Sequence, residues 1–193
     1  MALWGITDAD EAKPKWLTTA QKKEVFANNS GWVVEAGSTQ TGNDNTDAQP
    51  EVLCCVGDLA TGIGAADITE IEFITTAFDK SDGGNIDVRV RFNEQVTVDT
   101  SGGTPTLTIT NDTPSRNLTA TYLSGSTTNE LIFRKTIAAA NAATNADDVL
   151  VIGANPLALN SGTIKDTADG TTNATITSIE AIGTAAGSIT VTA

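Results

Sequence analysis

Apolar side chains recur at every second position of "NIDVRVRFN". Ile86, Val88, Val90 and Phe92 fall on one side, and Asp87, Arg89 and Arg91 on the other. Successive side chains of a strand point to opposite faces, so this reads as a strand with one face in a core and one in water. The same period continues elsewhere. "ITEIEFIT" places Ile71 and Phe73 together, and "TPTLTIT" turns Leu107 and Ile109 inward. "LTATYL" offers Leu118, Ala120 and Tyr122, and "ELIFRKTI" offers Leu131, Phe133 and Ile137, interrupted by Lys135. With "DDVLVIG", "ATITSIEAI" and "GSITVTA" this makes about eight strands at roughly 8–15-residue spacing, the pattern of a sandwich or barrel. The turns agree. "KSDGGN" and "TSGGTP" carry paired glycines, and "SGSTTN" closes a hairpin over residues 118–137. "AAANAATNADD" is left as a short helix or an irregular crossover.

The pattern changes before residue 67. Residues 1–66 hold all three tryptophans and both cysteines. One helical turn is expected around residues 19–25, followed by short strands in "GWVVEAG" and "PEVLCCVGDL". The polar stretch "STQTGNDNTDAQ" between them has every turn-former and no core residue, so it is a loop or hairpin tip. The small, Gly-rich "ATGIGAAD" reads as a boundary. The expected architecture is mainly β: a small, mostly extended N-terminal module over 1–66, then a β-sandwich over 67–193.

Composition narrows the function. The chain has 193 residues, 39% of them hydrophobic, so a core is affordable, yet aromatics are only 5%. Eleven basic residues face 24 acidic ones, a net charge of −13. Phosphate neutralisation drives duplex binding, so nucleic acid is not an expected partner, and neither is an anionic membrane surface. The acidic balance favours solubility and opposes self-association. "MALWGITDADEAKPK" lacks the long apolar run of a signal peptide, and no stretch approaches the ~20 apolar residues of a membrane span. Synthesis and folding in a cytoplasm are expected. Cys54 and Cys55 are neighbours on one strand and face opposite ways, which disfavours a disulfide between them. Buried, reduced thiols are expected.

Little of the chain suggests catalysis. Histidine is absent, which removes Ser–His and Cys–His nucleophile pairs and the commonest metal ligand. Carboxylate-pair enzymes need two acids about 5–10 Å apart across a cleft, and the acids here fall in turns or on outward strand positions. No enzyme activity is expected. Asp79, Asp82 and Asp87 around "KSDGG", and Asp166 and Asp169 in "KDTADGTTN", have the oxygen chemistry of calcium ligands but not the EF-hand spacing. They read as solvated turns, and no metal or cofactor is expected. "GDLATGIGAAD" lacks the Lys-Ser/Thr of a phosphate loop. The tryptophans carry the most information. One or two would fill the small N-terminal core, and Trp4, Trp16 and Trp32 are all candidates for contact with a partner, Trp4 foremost.

Two resemblances extend this reading. Phe92-Asn93-Glu94-Gln95-Val96, Thr104-Pro105-Thr106-Leu107, Ala120 to Phe133 and Leu159 to Asp169 resemble the immunoglobulin-like repeats of large bacterial surface adhesins. Those repeats show F-x-E-x-V, then G-x-P-x-L, A-x-Y-x-S-G-S and a closing L-N-G-G-T-I-K-D. Lys135 departs from them, since the family favours an aromatic there. The resemblance implies an immunoglobulin-like β-sandwich used for display or adhesion, with no catalytic residues. "MALWG", "GWVVEAG" and "EVLCCVGDLATGIGAADITEIEF" resemble the N-terminal modules of virion structural proteins of marine tailed phages, notably those of cyanobacteria. That implies attachment to a phage particle, and a capsid decoration protein fits both halves. Its partner would be the major capsid protein lattice, with other copies of itself possible, and its place the capsid surface. The alternative it leaves is a tail, neck or fibre component touching a host glycan or another tail protein.

Overall fold

The computed structural model describes residues 13–193. Strands take 43% of the chain and helices 10%, so the fold is mainly β and sandwich-like. The N-terminal part contributes α1 (Thr19–Lys23), β1 (Val25–Asn28), β2 (Gly31–Val34), β3 (Glu51–Cys55) and α2 (Leu59–Gly62). The remainder runs β4 (Ile68–Phe73), β5 (Phe78–Asp79), β6 (Gly84–Asp99), β7 (Thr106–Asn111), β8 (Leu118–Ser124), β9 (Thr128–Ile137), β10 (Val149–Val151), β11 (Leu157–Ala158) and β12 (Thr163–Asp166). It ends in α3 (Glu180–Ala185) and β13 (Ser188–Thr192). All the strands join one 13-stranded sheet in the order β3-β2-β1-β6-β9-β8-β7-β10-β13-β5, with β4 and β12 also on β6 and β11 on β7.

The long strand β6 organises the molecule. Its first half lies between β4 and β9, with Val88 opposite Phe73 and Phe133. Pairing with β9 is interrupted between Arg91 and Val96, where Thr128 resumes it; β4 pairs only as far as Phe92, and β12 follows, from Val96–Asp166 to Asp99–Thr163. In the gap β1 joins in parallel, with Ala27 opposite Glu94. The alternation read from the sequence holds on one face. Ile86, Val88, Val90 and Phe92 are buried with Leu107, Ile109, Leu131, Phe133, Leu150 and Ile189 in the main core. Tyr122 meets Phe133 edge-on at 6.0 Å, a favoured aromatic geometry, and its hydroxyl accepts from the Ser126 N–H at 2.9 Å to close the hairpin.

A second, smaller core collects Leu17, Val25, Ala27, Trp32, Val34, Leu59, Ala60 and Ile63. The two clusters divide between Ile63 and Ala66. α1 starts at Thr18, whose hydroxyl accepts from the Gln21 N–H while the Gln21 side chain accepts from the Thr18 N–H. β2 and β3 approach closely at Gly31, whose φ is +133° and where a Cβ would stand 2.0 Å from the Cys54 carbonyl oxygen. Only glycine fits there.

The structure corrects several expectations. "ATITSIEAI" is not a strand. Residues 174–179 run extended with one bridge, Thr175 to Asp67, and then turn into α3. Ala174 and Ile176 keep a period of two, and Ile179 and Ile182 have the spacing of a helix. The choice is made by packing: Ile176 and Ile182 face the main core, and Gly183 lies on the Ile152 carbonyl, where a Cβ would be 2.4 Å away. β5, β11 and β12 escape the sequence pattern because they are two to four residues long. Of the two alternatives for residues 138–148, the irregular one is found: they form turns. The thiols are free but not both buried: Cys54 is half-buried and Cys55 exposed, since β3 is the last strand of its sheet. Among the described residues no helix is long and apolar enough to cross a membrane.

Candidate functional site

The polar face of β6 is only partly open to water. Register places Glu72 opposite Arg89 and Glu70 opposite Arg91 on β4, and Glu130 opposite Arg91 on β9. Opposite charges facing across a ladder attract. The chain just after β2 then lays a fourth carboxylate, Glu35, over them. The Arg91 guanidinium reaches all four: Glu130 Oε1 at 2.5 Å from Nε, Glu70 Oε2 at 2.8 Å and Glu72 Oε1 at 3.4 Å from Nη1, and Glu35 Oε1 at 3.1 Å from Nη2. Its side chain is only 7% exposed. Arg89 pairs with Glu72 and Glu130, and Lys23 pairs with Glu70. The fork of an arginine is suited to this, because it offers several donors in one plane.

The electrostatics follow from burial. Burial pushes the Glu35 carboxyl up to about 7; the neighbouring Glu130 pushes the same way, and Arg91 pulls against both. Burial also raises Glu70, but the hydrogen bonds from Lys23 and Arg91 outweigh it and hold that carboxyl below its ordinary value. Lys13 is brought down to about 8 by burial, and its ammonium donates to the Lys22 carbonyl at 2.8 Å. Burial works against the charge of Arg91, and the surrounding carboxylates more than compensate.

Beside the cluster runs a groove of about 640 Å³, with Glu35, Arg89, Asn129 and Glu130 along one wall and Thr46 and Gln49 of the polar loop along the other. The loop is held by Ser38, which donates to Glu24 at 2.5 Å, and by Gln40, which donates to the Gln21 carbonyl at 3.0 Å. On the other side of the β1 junction, Glu94 is fully buried and Asp166 is 2% exposed. Burial raises the Asp166 carboxyl, which is hydrogen-bonded to Glu94 and accepts from the Ala168 N–H at 2.6 Å.

The tryptophans separate. Trp4 lies outside the described residues. Trp16 is 57% exposed, at the edge of the N-terminal module. Trp32 has no exposed surface and fills the small core, so it is corrected from a partner-contact candidate to a packing residue. The aspartates are engaged in local structure. Asp79 accepts from Ser81 N–H at 2.7 Å, Asp87 binds Arg134 at 2.6 Å, and Asp169 accepts from the Thr171 and Thr172 N–H groups at 2.7 and 2.8 Å. Among the described residues no three His, Cys, Asp or Glu side chains gather to hold a metal.

Sequence reasoning missed the cluster as a unit. Its signals were present: alternating Arg89 and Arg91, alternating Glu70 and Glu72, and Glu130 as the one carboxylate of the hairpin over residues 118–137. What the arrangement does chemically is pair charges brought from β4, β6, β9 and the segment after β2, and so it links that segment to β6. No family model, curated protein or solved structure matches the chain.

Proposed function

We propose that the chain is a non-enzymatic virion surface protein, a capsid decoration protein that grips the assembled head lattice through its N-terminal module and turns an acidic immunoglobulin-like sandwich outward. The observation that carries the reading is Trp16: 57% exposed, on a module whose own core is already filled by Trp32. A large aromatic left at a surface favours an interface, since it buries much area at small entropic cost. The net charge of −13 supports an inert outer coat that discourages clumping. The two sequence resemblances point the same way. Other copies of the chain are further possible partners, while nucleic acid and membranes do not suit the charge.

The experiment mixes undecorated particles with three proteins: the full chain, a chain lacking residues 1–12, and Trp16→Ala. Truncation at residue 12 keeps every described member of the small core, which begin at Leu17. The full chain should co-sediment in large, lattice-scale copy number, and both variants should lose at least about tenfold in affinity, a hot-spot effect. Equal binding by all three would refute the anchoring role. The tail-component alternative draws on one observation, the polar groove of about 640 Å³ lined by carboxylates and amides. It would be favoured by a few copies per particle and by retention of the chain on a host glycan column.

A further inference from the structure

A trough runs between α1 and α3. One stretch, about 340 Å³, has Thr19, Lys22 and Lys23 on the α1 side and Ala181, Ile182 and Ala185 on the α3 side. The next, about 380 Å³, continues past Ile182 to Ile179. Lys13, Thr69 and Ile182 line both, so the two are continuous. Ala181 and Ala185 are one helical turn apart, and with Ile182 they turn an apolar stripe of α3 toward the trough. The described residues cover that stripe poorly. Ala181 and Ala185 are exposed, Ile182 is half-buried and Ile179 is 68% exposed.

The charges at the α1 end are one-sided. Lys13, Lys22 and Lys23 stand there with one carboxylate, Glu70, which Lys23 and Arg91 already hold. Asp67 lies further along, at the Ile179 end. Among the described residues, Lys13 and Lys22 make no ion pair. The Lys13 ammonium donates to the Lys22 carbonyl at 2.8 Å, which sets the start of the described chain against the end of α1. The residues just before Lys13 include Asp8, Asp10 and Glu11, and before them come Leu3, Trp4 and Ile6. That order matches the trough: cations beside Lys13, then apolar side chains on α3. Trp4 stands nine positions before Lys13, and an extended chain covers at most about 30 Å over that length, so α3 is within reach.

We propose that the trough is the docking site of the chain's own first twelve residues, with Asp8, Asp10 and Glu11 against Lys13 and Lys22 and with Leu3, Trp4 and Ile6 on the apolar stripe of α3. Burial of apolar area supplies the attraction, and the acids fix the direction. The tether favours the chain's own segment over that of another copy. A short link holds it at an effective concentration on the order of millimolar, whereas two copies of net charge −13 repel. The docked segment bridges α1 to α3 and covers Trp4 in the free chain. This holds whether or not a particle is the partner.

The test uses the full chain with a nitroxide on Ala2→Cys, in a background of Cys54→Ser and Cys55→Ser. The amides of residues 180–185 should broaden at least about fivefold more than those of residues 100–104, beyond the far end of β6. Lys22→Glu reverses the attraction and Ala185→Glu puts a charge on the stripe, and each should cut that broadening at least about threefold. Equal broadening of the two segments, or broadening that neither substitution changes, would overturn the proposal. So would broadening passed from labelled chains to unlabelled, isotope-enriched ones, since the occupant would then be a second copy. Hydrogen exchange needs no label and decides the matter should the cysteine replacements misfold. Residues 180–185 should exchange at least about fivefold faster in a chain lacking residues 1–12 than in the wild-type chain, with residues 100–104 unchanged. Equal rates at residues 180–185 would sink the idea.

Discussion

Replacing Arg91 by leucine is the sharpest perturbation the structure offers. The substitution removes the cation shared by four carboxylates from β4, β9 and the segment after β2; Glu70 keeps Lys23, Glu72 and Glu130 keep Arg89, and Glu35 is left facing an apolar side chain. Unscreened contacts at about 3 Å would each be worth several kcal/mol at an effective dielectric near 20, but desolvation of the buried ions cancels much of that. Breaking a buried ion pair by deleting one partner costs about 3–5 kcal/mol, and that is the loss expected here. Domains have only about 5–15 kcal/mol in all, so Arg91→Leu should forfeit a large share of the stability. With a urea slope of about 1–3 kcal/mol per molar, the midpoint should fall by roughly 2 M at pH 7.5. The deficit should shrink on moving to pH 5, because the stranded carboxylate can then take up a proton. Adding Glu35→Gln to Arg91→Leu should recover about 1–2 kcal/mol, since neighbours in one cluster do not act additively. A deficit under about 1 kcal/mol, or one that grows with acid, would refute the claim that this cluster links the segment after β2 to β6.

Two further substitutions probe other parts of the fold. Gly31→Ala forces a Cβ to within 2.0 Å of the Cys54 carbonyl oxygen at a φ of +133°, and should cost about 1–3 kcal/mol in thermal unfolding with loss of β2–β3 pairing. Gly42→Ala, at φ +72° with open space around it, is the control, and an equal loss in both would count against the close approach. Asp148→Asn removes a carboxylate that is 4% exposed and that accepts from Arg116 Nε at 2.9 Å, Asn111 Nδ2 at 2.8 Å and the Asn145 N–H at 2.8 Å. Its bond to Arg116 holds Asp148 well below the ordinary aspartate range, so its stabilisation is present at neutral pH and lost as pH falls through that depressed value. The variant should be about 1.5–3 kcal/mol less stable at pH 7, and the gap should narrow in strong acid. A gap independent of pH would sink that account.

The alternation at Ile86, Val88, Val90 and Phe92 was enough to place a strand and to say which of its faces packs. The hairpin of β8 and β9 was legible too, because its turn residues and its inward Leu131 and Phe133 lie within one short segment. Around Trp32 the helical turn and the strands β2 and β3 were legible, whereas β1 was not, because its four residues follow directly on the expected helical turn. α3 was not, since Ala174 and Ile176 keep the strand period while Ile179 and Ile182 have helical spacing, and the decision came from a distant carbonyl at Ile152.

Periodicity is a property of neighbours along the chain, and it determined the strands, the inward face of β6 and the mainly β class. It gave no hint that the outward face would be covered. Arg91 is buried by Glu35, 56 residues before it, and by Glu130, 39 residues after it. In the same way Trp16 and Trp32 are one residue type in one short module, yet one is 57% exposed and the other wholly enclosed. Long-range contact alone decides which polar face loses its water and which aromatic keeps it, because burial depends on what the chain brings back from elsewhere.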